Sequence, residues 1–161
     1  MQQSEQLVEQ MTGRRLCLLF AFPCAEARLK AELITQKDYD ELKELVENGG
    51  EPTSVFISSC FPNMISGLAY YEVTYSISAD NMWSPKICLN YWKNYHGHND
   101  RLNCGVDIVN VISCDNNFVF ATRGNERICL ANLYHLRLEP GDTVYTHKMT
   151  AIMKTDAIPE G

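Results

Sequence analysis

The chain has 161 residues, 45% of them apolar and 21% charged, with a formal net charge of -6. That size fits one ordinary domain or two very small ones, and that balance excludes a wholly disordered chain. The acidic charge argues against a nucleic-acid binder and against an anionic membrane surface, because both partners call for a basic face.

The seven cysteines are an odd count with no CxxC spacing, so they do not read as a disulfide framework. The apolar run over residues 16–22 is seven residues long and follows the acidic Glu5 and Glu9. A signal peptide needs the opposite flanks, and a membrane span needs about 18 apolar residues or more. The expectation is a cytoplasmic protein with reduced thiols.

The pattern is helical through about residue 100. Ser4 is placed to cap a segment whose apolar positions Leu7, Val8, Met11, Leu16, Leu19 and Phe20 recur every three to four residues. Gly13 weakens that helix, and Pro23 ends or kinks it. Residues 25–33 are strong helix formers. Thr35 with Asp38 gives a capping-box start ahead of Tyr39, Leu42, Leu45 and Val46 on one face, and Gly49-Gly50 stops that helix. An antiparallel helical hairpin follows from these signals. Residues 54–58 read as a short β-prone run, and residues 73–77 as either a strand or a helix end. Ser84-Pro85 opens another helix, with Ile87, Cys88, Tyr91, Trp92 and Tyr95 at helical spacing.

From about residue 104 the period changes to two. Turn chemistry falls at Asp115-Asn116-Asn117, at Arg123-Gly124-Asn125-Glu126 and at Glu139-Pro140-Gly141-Asp142. Between the turns lie strands near 106–111, 118–122 and 128–133, then one long β-branched strand over 143–154. Short strands with tight turns predict a closed barrel, which removes exposed edges. The expected fold class is therefore α+β: a mainly helical domain over 1–100, then a small β-barrel of SH3- or OB-like size over 104–158.

Several side chains are candidates for chemistry. His96, His98, Asp100 and Cys104 bring imidazole, carboxylate and thiol donors close in sequence, which suits zinc or iron, although the same residues also make an ordinary polar linker. Cys17 and Cys24 lie two turns apart on one helix, about 10 Å by helical rise, too far for a disulfide. Both read as core thiols. Cys60, before a proline turn, reads as either an exposed nucleophile or a structural thiol. Cys114 sits at a turn, and Cys129 is expected to face the core. No phosphate-binding glycine loop is present among the nine glycines. Tyr91, Trp92 and Tyr95 form a stripe that is either core or an interface patch. In the last strand, Tyr145 and His147 face opposite to Val144 and Thr146.

The segments ATRGNERICLANL and LEPGDTVYTHKMTAIMKTD resemble the small barrel of hydrogenase maturation chaperones of the HypC/HupF type, which carry the pattern G-D-x-V-x-x-H-x-x-x-A-I. The likeness covers about residues 104–156 and rests on Gly141, Asp142, Val144, His147, Ala151 and Ile152. It implies a non-enzymatic scaffold that carries an iron fragment to a metalloenzyme subunit. In that family a cysteine after the initiator methionine and a strand histidine support the iron. His147 matches the histidine. Position 2 is Gln2, and Cys104 stands where the barrel begins. The resemblance thus implies transient rather than tightly bound iron at Cys104 and His147; His96 and His98 stay candidate metal donors on their spacing alone.

Three functions follow as expectations. The first is a chaperone-like accessory protein that docks a metalloenzyme subunit or maturation factor through its barrel, with Tyr91, Trp92 and Tyr145 in partner contact. The second is a stable structural or regulatory subunit, with an exposed apolar patch around Tyr70, Tyr71, Tyr91 and Trp92. The third is a small thiol or metal enzyme using Cys60 or the His96/His98/Cys104 group.

Overall fold

The computed structural model describes residues 12–64, 66–68, 83–94 and 105–157. The chain is α+β, with helices first and a closed five-stranded barrel last. Among the described residues, no helix is long and apolar enough to cross a membrane.

Helix α1 (Gly13–Ala21) begins where Thr12 accepts a hydrogen bond from the Arg15 amide. The sequence expectation of a start at Ser4 lies outside the described residues. Gly13 is needed here for contact rather than for a turn. Its N–H donates to the Trp83 carbonyl at 2.9 Å, and an added Cβ would fall 2.0 Å from that oxygen. After α1, Pro23 sits inside a short 3-10 turn (Phe22–Cys24), and α2 (Ala25–Lys30) follows.

Helix α3 (Gln36–Asn48) carries the expected signals at both ends. Thr35 and Asp38 exchange side-chain-to-backbone bonds, and Gly49 adopts φ +75° at the C-cap. Arg15 of α1 reaches the far end of α3, donating to the carbonyls of Leu45 (2.7 Å), Gly50 (3.1 Å) and Val46 (3.2 Å). A cation at the C-terminal carbonyls is favourable both as a donor and against the helix dipole. Burial lowers the Arg15 pKa from its ordinary value.

Residues 54–58 are not a strand. Helix α4 (Ser54–Cys60) covers them because Thr53 caps it by accepting from the Phe56 amide. A local cap outweighs the weak β-propensity of Val55 and Ile57. Helix α5 (Pro85–Asn94) starts as expected, with Ser84 Oγ accepting from the Ile87 amide at 3.2 Å.

The barrel strands are β1 (Asp107–Cys114), β2 (Phe118–Arg123), β3 (Glu126–Ala131), β4 (Thr143–His147) and β5 (Thr150–Lys154), closed in the order β1-β2-β3-β5-β4. The single long strand expected over 143–154 is in fact a hairpin. Lys148 (φ 52°) and Met149 (φ 56°) make its two-residue turn in the left-handed region. Inside the barrel, Val109, Val111, Val119, Ala121, Leu130, Val144 and Ala151 form one small core. The helices form a second, larger core, and it takes in Tyr145, Ile152 and Met153 from the outer wall of β4 and β5. The helical and barrel parts therefore share a buried junction.

Candidate functional site

The junction begins with a proline. In an unbroken helix the carbonyl of Leu19 would accept from the amide four residues on, but that residue is Pro23, which has no N–H. Tyr134, from the connection between β3 and β4, donates its hydroxyl to this carbonyl. Burial pushes the Tyr134 phenol above its ordinary pKa. One residue later, His147 at the end of β4 places Nδ1 2.6 Å from the Phe20 carbonyl. A carbonyl only accepts, so the proton sits on Nδ1. Two barrel side chains thus complete two carbonyls at the end of α1.

Aromatic rings fill the space around them. Trp92 stacks on Phe20 with centroids 5.3 Å apart and meets the His147 ring edge-on at 5.3 Å. Tyr145 packs against Phe20 at 6.3 Å. The Trp92 indole N–H donates to Cys17 Sγ at 3.4 Å.

This arrangement corrects several expectations. His147 is 1% exposed, because α1 and α5 cover that face of β4; it is not displayed on the barrel surface as an open ligand. The alternation itself holds, with Val144 inside the barrel and Tyr145 outside it. Tyr91, Trp92 and Tyr145 are buried in the helical core, so they do not form a contact surface for another protein. Cys104, His96, His98, Asp100, Tyr70, Tyr71 and Tyr95 lie outside the described residues. Among the described residues, no group of three or more His, Cys, Asp or Glu side chains could hold a metal.

The thiols are also rearranged relative to expectation. Cys60 is fully buried rather than exposed, and burial pushes its pKa up to about 11, so its thiol stays protonated near neutrality. Cys17 is buried as expected. Cys88, packed beside Cys17 and hydrogen-bonded to it, has its thiol pKa raised by that bond and by burial. Cys24 is half-buried. Cys129 points outward rather than to the core, because Ile128 and Leu130 take the inward positions of β3.

The barrel wall that the helices leave uncovered is the other functional candidate. On the outer face of β1 and β2, Ile112 and Phe120 are each 43% exposed, and Phe118 is 49% exposed. Phe120 pairs with Cys129 and Phe118 with Ala131, so the apolar row continues onto β3. Met149, whose carbonyl accepts from the Ala131 amide, adds another exposed side chain at the same end. Strand alternation places these rings outside, because Val119 and Ala121 are the inward residues of β2 and pack in the barrel core. Mixed charge rims the row, with Arg123 bound to Asp107 (3.2 Å) and Glu126 (3.4 Å). Phe118 and Phe120 are not among the candidate site residues that the sequence singles out. Their signal was the alternation of large and small residues in FVFA.

No protein family, no curated protein and no solved structure matches this chain.

Proposed function

We propose that this chain is a non-catalytic accessory or assembly protein that docks a protein partner through the open wall of its barrel. The observation that carries this reading is the apolar row Ile112, Phe118 and Phe120 on the wall that the helices leave uncovered. Contiguous exposed apolar groups are uncommon on monomers and mark contact surfaces. Paired charges of both signs around the row suit a protein surface better than a polyanion.

A metalloenzyme subunit or maturation factor is the favoured partner class, and its support is the likeness of the barrel strands to HypC/HupF-type chaperones. His147 does not fit an open iron ligand, so the proposal includes no step through iron. The test is to purify the tagged full chain from its own cells beside a Phe118→Asp/Phe120→Asp variant. Expected is one stoichiometric companion protein that the variant loses while keeping the wild-type melting temperature. A companion retained by the folded variant, or no companion with either chain, would overturn the reading.

A further inference from the structure

A second feature lies at the junction and is independent of the open wall. A cavity of about 410 Å³ opens between the 3-10 turn with α2, the end of α4, α5 and the β4–β5 turn. That volume is within the range of small-molecule sites, roughly 300–1,000 Å³. Its apolar lining includes Phe61, Met64 and Trp92, with Leu33 at the rim.

Two cations, Arg28 and Lys148, also line it, and the described lining residues include no carboxylate. The Arg28 guanidinium lies over the Phe61 ring, 5.7 Å from its centroid. Its buried Nε has no hydrogen-bond acceptor, and Arg28 takes part in none of the ion pairs among the described residues. A guanidinium held on a ring with donors unused is suited to bind a planar carboxylate.

We infer that this cavity binds a small amphipathic carboxylate, its acid group at Arg28 and Lys148 and its alkyl or aryl body against Phe61, Met64 and Trp92. Lys148 comes from the barrel and Arg28 from the helices, so such a ligand bridges the two parts. Dodecanoate is the probe, used below its micellar concentration, and Trp92 emission is the readout in a Trp83→Phe background.

Expected is saturable one-to-one binding of dodecanoate, at least tenfold tighter than dodecanol or dodecylammonium. Arg28→Gln and Lys148→Gln each weaken it tenfold or more. Ala27→Phe, at the exposed edge of the cavity, abolishes it with unchanged circular dichroism, and Phe118→Asp leaves it intact. The inference is overturned if the neutral or cationic probe binds equally well, or if neither cation variant changes the affinity. It is also overturned if Phe118→Asp abolishes binding while Ala27→Phe does not, since the probe then sits on the barrel wall. Because the two proposals rest on different side chains, Arg28 here and Phe118 with Phe120 on the open wall, failure here leaves the docking proposal standing.

Discussion

A proline at position 23 removes the N–H that the Leu19 carbonyl would otherwise accept from, and the Tyr134 hydroxyl replaces it across the junction. Tyr134→Phe leaves that nearly buried carbonyl without its partner and is expected to cost about 1–3 kcal/mol in urea denaturation. An unchanged unfolding midpoint would contradict this account of the junction. Cys60 sets a pH dependence. Its thiol is raised from 9.0 to about 11 by burial, so the folded state holds its proton more tightly than the unfolded state does. The associated stability is intact below about pH 9 and is lost as pH rises through 11. A Cys60→Ala variant should therefore show a shallower fall in stability over that interval, and iodoacetamide should label exposed Cys129 well before Cys60. These contacts were not legible in the sequence, because each joins residues far apart in the chain. Trp92 and Tyr91 show the same limit: a helical aromatic stripe fits a core and an interface equally, and only the facing Phe20 and Cys17 decide between them.

Elements were legible where the signal was local. Helix α3 is specified at its start by Thr35 with Asp38 and at its end by Gly49, all within its own span. The barrel was legible from its turns, since Gly124 (φ +61°) and Gly141 (φ +95°) occupy conformations that favour glycine. The β4–β5 turn escaped notice for the converse reason. Lys148 and Met149 adopt positive φ without being Gly, Asn or Asp, so two strands read as one. That turn carries backbone strain, because a two-residue hairpin turn of this kind needs positive φ at both positions. Met149→Gly is expected to relieve about 1 kcal/mol and raise Tm by about 2–4 °C. A fall in Tm would show that the side chain stabilises the turn by more than its backbone strain costs.

At the scale of the whole molecule, the helices divide the outside of the barrel into two walls. One wall, carrying Tyr145, His147, Ile152 and Met153, is buried against α1 and α5. The other wall displays Phe118 and Phe120 to solvent. The helix-then-barrel order was readable from the change of hydrophobic period near residue 104, but the division of the walls was not, because alternation gives a strand two faces without saying what covers either. The proposed docking role depends on the open wall having an occupant in the cell. The most direct measurement places a photo-crosslinking amino acid at position 120 in the native cell, with the same group at exposed Lys37 on α3 as the control. One discrete protein adduct at position 120 that is absent at position 37 is the predicted result; no adduct at 120, or the same adducts at both positions, would contradict the account.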